Sequence, residues 1–104
     1  MSVKVSDEGK VKINAIHKSL DVDVVLEDFS QRQYEVYHSE IIKQTKGELA
    51  AAVTNGAVVR AAIMAGFVKP YTVEDVADMK PAAVIWLSDK IHKHVMEITK
   101  VPPE

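Results

Sequence analysis

The sequence contains no cysteine, and this absence removes several classes of chemistry. Disulfide frameworks, zinc–thiolate sites and thiol nucleophiles all need cysteine and are therefore excluded. Glycine is scarce as well, and the four glycines, at positions 9, 47, 56 and 66, are too far apart to form a phosphate-binding loop. No serine lies in a nucleophile-elbow pattern. The sequence thus predicts a protein that has no catalytic residues, binds no cofactor and is not an enzyme.

An excess of one charge is also lacking, because 13 basic and 15 acidic residues are mixed along the chain and give a net charge of −2. Nucleic-acid binding needs a basic surface that neutralises phosphates, so we expect no nucleic-acid partner. No secretory signal is visible, and the weakly charged stretch Leu49–Val68 is interrupted by Asn55, Gly56 and Arg60. We therefore expect a cytoplasmic protein without membrane contact.

The length of 104 residues and the 47% of hydrophobic residues predict one globular domain. Within residues 1–104 we expect a β-rich N-terminal element over residues 1–29, a helical part over residues 30–100 and an extended tail over residues 101–104. The predicted class is α+β and mainly helical, with a small antiparallel β element followed by three or four packed helices.

Alternation of apolar and polar residues predicts strands near the N-terminus. Residues 3–5 and 11–15 alternate on either side of Ser6–Gly9, which is typical of a hairpin. Residues 20–26 alternate as well, and this pattern indicates a third, half-buried strand. The same stretch could instead begin a helix, and its valine content only favours the strand.

Capping patterns mark the beginnings of three helices. Ser30 and Gln33 fit a capping box, in which each side chain accepts a hydrogen bond from the backbone N–H of the other residue. Thr72, with Asp75 in the first turn, predicts a short helix. Pro81 suits the first position of the last helix, because an N–H group there has no partner within the helix.

The apolar faces of these helices follow from the spacing of their residues. The first helix presents Tyr34, Tyr37, Ile41 and Ile42 on one side and ends at Lys46, with Gly47 as its left-handed cap. The second runs from about Glu48 to Ala65, ends at Gly66 and is apolar nearly all round, which predicts a central position. Gly56 either splits this helix or permits close contact with a neighbouring helix. The last helix carries one apolar seam, formed by Val84, Leu87, Ile91, Val95 and Ile98.

The histidines and two aspartates are the candidates for a metal site. His92 and His94 are two residues apart and so point about 200° apart on a helix, which prevents them from binding one ion together. His17 and His38 lack a carboxylate at ligand spacing. Asp21 and Asp23 would share a face in a strand, where a solvated surface is the simpler interpretation than a cation site. We expect surface or boundary histidines and no metal ion.

Four side chains are candidates for contact with a protein partner. Trp86 lies off the apolar seam of its helix, so it either contacts a partner or packs under the N-terminal strands. Tyr34 and Tyr37 lie one helical turn apart and either pack in the core or form an exposed aromatic anchor. Arg60 is the only charge between Glu48 and Lys69, and it either extends from a buried helix to solvent or pairs with a carboxylate, which could belong to another chain.

The second half of the sequence, from Val58 to Glu104, resembles small proteins encoded among phage or prophage tail genes. The residues that carry the resemblance are Val59–Phe67, Thr72–Val76, Pro81–Leu87 and Val101–Glu104. Some proteins of this kind are tail assembly chaperones. The resemblance implies that the protein binds the long helical tape-measure protein, or tail subunits, and prevents their aggregation before assembly. It implies no catalytic residue.

These observations predict a non-enzymatic protein-binding module. A tail assembly chaperone would need an exposed apolar groove, which we expect near Arg60 and Trp86. Two alternatives stay open: a small regulatory protein that inhibits a host protein, and a structural subunit of a virion that forms a homo-oligomer.

Overall fold

The computed structural model describes residues 12–46 and 50–103, which form three strands and four helices. The strands are β1 (Lys12–His17), β2 (Val22–Glu27) and β3 (Val68–Lys69). The helices are α1 (Gln31–Thr45), α2 (Ala51–Ala65), α3 (Val73–Asp78) and α4 (Pro81–Ile98). The predicted α+β, mainly helical class is confirmed. In the described parts of the chain, no helix is both long enough and apolar enough to cross a membrane.

The strands form an antiparallel sheet in the order β1-β2-β3. The apolar residues of β2 point to one face, where they are buried against the helices: Val22, Val24 and Leu26. This confirms the strand predicted within residues 20–26, although Leu20 belongs to the 3₁₀ turn Lys18–Leu20 that joins β1 to β2. The first strand of the predicted hairpin (residues 3–5), its loop and Val11 lie outside the described residues.

The turn before β2 also separates the two aspartates. Asp21 adopts a left-handed conformation with φ of 57° and caps the 3₁₀ turn, whereas Asp23 lies in β2. The expectation that both carboxylates share a strand face was therefore wrong, because the strand begins only at Val22.

Helix α1 begins as the capping pattern predicts. Gln33 N–H donates to Ser30 Oγ over 3.3 Å, and Ser30 N–H donates to Gln33 Oε1 over 2.8 Å. At the other end, the left-handed residue is Lys46, with φ of 48°, and the predicted cap Gly47 lies outside the described residues. The predicted apolar side was wrong at Ile42, which is 71% exposed.

Helix α2 is continuous from Ala51 to Ala65 and lies at the centre of the molecule. Gly56 does not split it, and Gly66 ends it in the left-handed conformation, with φ of 91°. The helix packs closely on its neighbours because most of its buried residues are small: Ala57, Val59, Ala61, Ala62 and Ala65.

After α2, the chain forms β3 and then the two last helices, α3 and α4. Thr72 is the N-cap of α3 and Pro81 lies at the beginning of α4, as predicted, and Thr72 also forms a capping box with Asp75 that was not predicted. Of the α4 seam, the central residues Leu87, Ile91 and Val95 are buried, while Val84 and Ile98 at its ends are half-buried. Residues 101–103 form neither helix nor strand.

Phe67 occupies the place where these elements meet. It is fully buried, and its ring centroid lies 4.5 Å from that of Phe29 and 5.5 Å from that of Tyr37. The loop after α2, the segment before α1 and α1 itself therefore share one apolar core.

Candidate binding surfaces

The four residues singled out from the sequence do not form one site. Arg60 and Trp86 line two separate grooves, Tyr34 lies on the surface of α1, and Tyr37 is in the core. Each of the two grooves lies beside α4.

Tyr37 is only 3% exposed, so its ring belongs to the core and is not a surface contact. Burial, with a smaller contribution from Tyr34, raises the pKa of Tyr37 to about 12. Of the two alternatives for Tyr37, packing in the core is therefore the one observed.

Tyr34 is half-buried at the beginning of α1. Its ring stacks on Phe29, with centroids 5.9 Å apart, and the pair forms a hydrophobic staple at the beginning of the helix. Its other neighbour is His38, at 4.6 Å in an edge-on arrangement. Tyr34 thus fixes the entry of the chain into α1 and leaves only part of its ring on the surface.

We call the first groove the Arg60 groove. It has a volume of about 330 Å³ and lies between α2 on one side and α3 and the beginning of α4 on the other. Its lining is mostly apolar and consists of Ala52, Asn55, Gly56, Arg60, Val76, Met79, Pro81, Val84 and Ile85. Ile85 is 56% exposed, which is unusual for an isoleucine and leaves apolar surface at the rim of the groove.

The guanidinium group of Arg60 is held in place by a neutral partner. Arg60 Nε donates a hydrogen bond to Gln44 Oε1 of α1 over 2.6 Å. The terminal nitrogens lie over Gly56, where an added Cβ would be 3.1 Å from Nη1. Gly56 therefore makes room for a side chain of its own helix, whereas the contact predicted for it was with a neighbouring helix.

Arg60 has no ion-pair partner within residues 12–46 and 50–103. The ion pairs of these residues join Lys43 to Glu40, Lys69 to Glu27 and Lys93 to Asp89. The described chain likewise offers no hydrogen-bond acceptor to Nη1 or Nη2, since only Nε is bonded. Two nitrogens of a fixed cation are thus available beside an apolar groove.

We call the second groove the Trp86 groove. It has a volume of about 390 Å³ and lies between β1 and the second half of α4. Its lining is Ile13, Asn14, Ala15, Ile16, Leu26, Trp86, Lys90, Lys93, His94 and Glu97. Trp86 contacts the sheet through an edge-on arrangement with His17, with ring centroids 5.3 Å apart. It therefore packs against the N-terminal strands, which is the second of the two alternatives considered for it.

The cations of the Trp86 groove are already engaged. Lys90 Nζ lies 5.5 Å from the centre of the Trp86 ring, and Lys93 forms an ion pair with Asp89 over 3.2 Å. This groove therefore differs from the Arg60 groove in having no fixed cation without a partner.

The histidines do not form a metal site among the described residues. His94 was expected near the surface, but it is buried, because α4 turns it towards the end of β2. Its Nε2–H donates to the carbonyl oxygen of Glu27 over 2.7 Å, so His94 connects helix and sheet.

The sequence did not predict two residues that determine the chemistry of the Arg60 groove: Gln44, which fixes Arg60, and Ile85, which leaves apolar surface at the rim. Gln44 lies 16 residues before Arg60, and nothing in the local pattern connects the two. Ile85 was detectable in principle, because it is an apolar residue outside the seam of α4.

No family model, curated protein or solved structure matches this chain.

Proposed function

We propose that the protein is a non-enzymatic binding module that holds a helical segment of a client protein in the Arg60 groove. The observation that carries the proposal is the fixed guanidinium of Arg60, which has no carboxylate partner among the described residues and adjoins an apolar groove. The occupant that matches this chemistry is a helix with an apolar face and one Asp or Glu beside it.

Charge complementarity supports an acidic group on the client. A guanidinium presents its N–H groups in a planar fork that matches the two oxygens of a carboxylate. Because Gln44 already fixes Nε, little side-chain freedom remains to be lost when Nη1 and Nη2 bind.

The shape of the groove supports a helix as the occupant. Ala52 is exposed on the α2 wall of the groove, and its small side chain allows a neighbouring helix to approach closely. Met79, Val84 and Ile85 form the opposite wall, where they offer apolar surface to the side chains of the client. An amphipathic helix bound in a groove is a common mode of peptide recognition.

The resemblance of residues 58–104 to phage tail-gene proteins suggests the class of client. The tape-measure protein is long and helical, so a tail assembly chaperone would bind such a segment and release it during assembly. We therefore propose this role for the protein, in the cytoplasm of the host cell.

The first experiment identifies the client and maps the contact. The full chain is used to capture proteins from a lysate of the source cell or phage, and bound proteins are identified by mass spectrometry. Peptides from the helical segments of the captured protein are then titrated by calorimetry against the wild type, Arg60→Gln and Arg32→Gln. Arg32 is an exposed arginine of α1, away from the groove, and serves as the matched control.

We expect a long helical tail protein and a 1:1 complex with one of its peptides. Arg60→Gln should weaken this complex about 10- to 100-fold, because a hydrogen bond to a charged group contributes roughly 1.5–3 kcal/mol. Arg32→Gln should leave the affinity unchanged. Equal affinities of both variants would rule out the Arg60 groove. Capture of one unrelated host enzyme would favour an inhibitor, and a stable oligomer of the free protein would favour a structural subunit.

A further inference from the structure

The amide of Gln44 joins α1 to two residues on one side of α2. Its Oε1 accepts the hydrogen bond from Arg60 Nε over 2.6 Å, and its Nε2 donates a second hydrogen bond to Met64 Sδ over 3.8 Å. Arg60 and Met64 are four residues apart in α2, so they lie one above the other on the same face of the helix. Gln44 therefore bridges the cation of the Arg60 groove and a methionine sulfur.

The chemistry of these two partners fixes the direction in which the amide points. A guanidinium group only donates hydrogen bonds and a thioether sulfur is a weak acceptor, whereas an amide has one accepting end and one donating end. Rotation of the Gln44 amide by half a turn would place N–H groups against N–H groups at Arg60 and an oxygen against the sulfur of Met64. The observed orientation is therefore the one that satisfies both contacts.

Met64 is linked to the groove through Gln44. It is 48% exposed, so apolar burial contributes less at this position than it does for a methionine in the core. Among the residues that the structure describes, the lining of the Arg60 groove does not include Met64. A client in the groove would thus be affected by Met64 through the position of the Arg60 guanidinium.

We propose that Met64 is a positioning residue of the Arg60 groove, because its sulfur holds the Gln44 amide in the orientation that fixes the Arg60 guanidinium. Hydrogen bonds in series polarise one another and strengthen by about 10–30% per bond, so the bond to Met64 also strengthens the bond to Arg60. A guanidinium that is held before binding loses less freedom when the client binds. For client affinity, though not for the hold on Arg60, the inference rests on the proposed function.

Two substitutions at position 64 separate the hydrogen bond from the shape of the side chain. Leucine, methionine and glutamine have similar helix propensities, so Met64→Leu and Met64→Gln should fold alike. Met64→Leu removes the acceptor, whereas Met64→Gln replaces the sulfur with an amide oxygen, which is a stronger acceptor. Met96→Leu is the matched control, because Met96 is 59% exposed and lies towards the end of α4.

The first measurement needs no client. The chain contains two arginines, Arg32 and Arg60, so heteronuclear NMR of the nitrogen-labelled full chain should give two arginine Nε–H signals, which Arg60→Gln and Arg32→Gln assign. At mildly acidic pH these groups exchange with water slowly enough to be observed. The exchange rate of Arg60 Nε–H reports how often its bond to Gln44 opens, and Arg32 Nε–H is the reference within the same sample.

We expect Met64→Leu to accelerate the exchange of Arg60 Nε–H about two- to fivefold, as for the loss of one weak hydrogen bond. Met64→Gln should exchange as slowly as the wild type or more slowly, and Met96→Leu should leave the rate unchanged. Equal rates in the wild type and Met64→Leu would overturn the proposal. Equal acceleration in Met64→Leu and Met64→Gln would do the same, because the shape of the side chain and not its acceptor would then matter.

The second measurement titrates the client peptide against the same variants by calorimetry. Met64→Leu should weaken the complex about two- to fivefold, because a freer guanidinium loses more entropy on binding, and Met64→Gln should restore the affinity. If Arg60→Gln leaves client affinity unchanged, the proposed function fails, while the exchange rates still decide whether Met64 positions Arg60. If Arg60→Gln weakens the complex and Met64→Leu does not, the proposed function stands and the positioning role of Met64 is refuted.

Discussion

Ile85 and Trp86 are consecutive residues of α4, yet they line two different grooves. Successive residues of a helix point about 100° apart, so one helix can form a wall of both grooves. In the Arg60 groove, a cation is fixed by an amide and has no carboxylate partner among the described residues. In the Trp86 groove, the lysines are engaged, and one wall is β1, beyond which no further strand is formed by residues 12–46 and 50–103.

The difference suggests two modes of occupation. A fixed cation beside apolar surface recognises a side chain, so the identity of the client residue matters. A strand edge is satisfied mainly by backbone hydrogen bonds, so any chain of suitable alternation can pair with it. We therefore expect the first groove, and not the second, to select its occupant by the charge of one side chain. Substitutions in the shared core and at each groove test whether the two grooves are independent of each other.

The largest effect is expected from Phe67→Ala, which removes the ring between the two regions. Truncation of a buried phenylalanine typically lowers the free energy of unfolding by about 3–5 kcal/mol. Urea unfolding should be followed both by Trp86 fluorescence and by circular dichroism of the helices. We expect both signals to shift together to lower urea, because Phe67 contacts Phe29, Tyr37 and His94. Separate transitions would show that the grooves belong to separately unfolding units.

A smaller and more local effect is expected at His94, which lines only the Trp86 groove. His94→Ala leaves the Glu27 carbonyl without its donor, and an unsatisfied buried group costs about 1–3 kcal/mol. His94→Gln retains a side-chain N–H near the position of Nε2 and should therefore recover part of the loss. Client affinity at the Arg60 groove should be the same in both variants. A changed client affinity in either variant would show that the two grooves are coupled.

These two grooves also show how far the sequence could predict the structure. The capping boxes at Ser30 and Thr72 are local, because all of their hydrogen bonds lie within four residues. The box at Ser30 and the N-cap role of Thr72 were predicted correctly, whereas the hydrogen bond from Thr72 N–H to Asp75 was not. The bond between Arg60 and Gln44 depends on the packing of α1 against α2, which no local pattern encodes.

Errors arose where a local pattern competed with tertiary packing. Ile42 follows the helical spacing of a core residue, but in the described part of the chain α1 packs mainly against α2, which buries Tyr37 and leaves Ile42 71% exposed. His94 has the spacing of a surface residue, yet the end of β2 provides a partner for it. Function was less predictable still, because a groove is formed by elements that are distant in sequence.

The smallest change in stability, and the most informative one for the Arg60 groove, is expected from Gly56→Ala. Alanine is favoured over glycine in a helix by roughly 1 kcal/mol, and the new methyl group would meet only the end of a flexible side chain, Nη1 of Arg60, at 3.1 Å. The free energy of unfolding should therefore rise by up to about 1 kcal/mol. The same substitution at Gly66, where φ is 91°, should lower it by a similar amount or more, because alanine is strained there.

Binding should respond in the opposite direction at Gly56. The methyl group displaces the guanidinium by a few tenths of an ångström from the position that Gln44 fixes, so the fork no longer meets the client carboxylate in its best geometry. Calorimetric titration of the client peptide should thus give a weaker complex for a more stable protein, while Gly66→Ala should give a less stable protein with unchanged affinity. An increase in stability without any loss of affinity would mean that the position of the Arg60 guanidinium does not matter for the client, and selectivity would then have to come from the apolar wall around Ile85 alone.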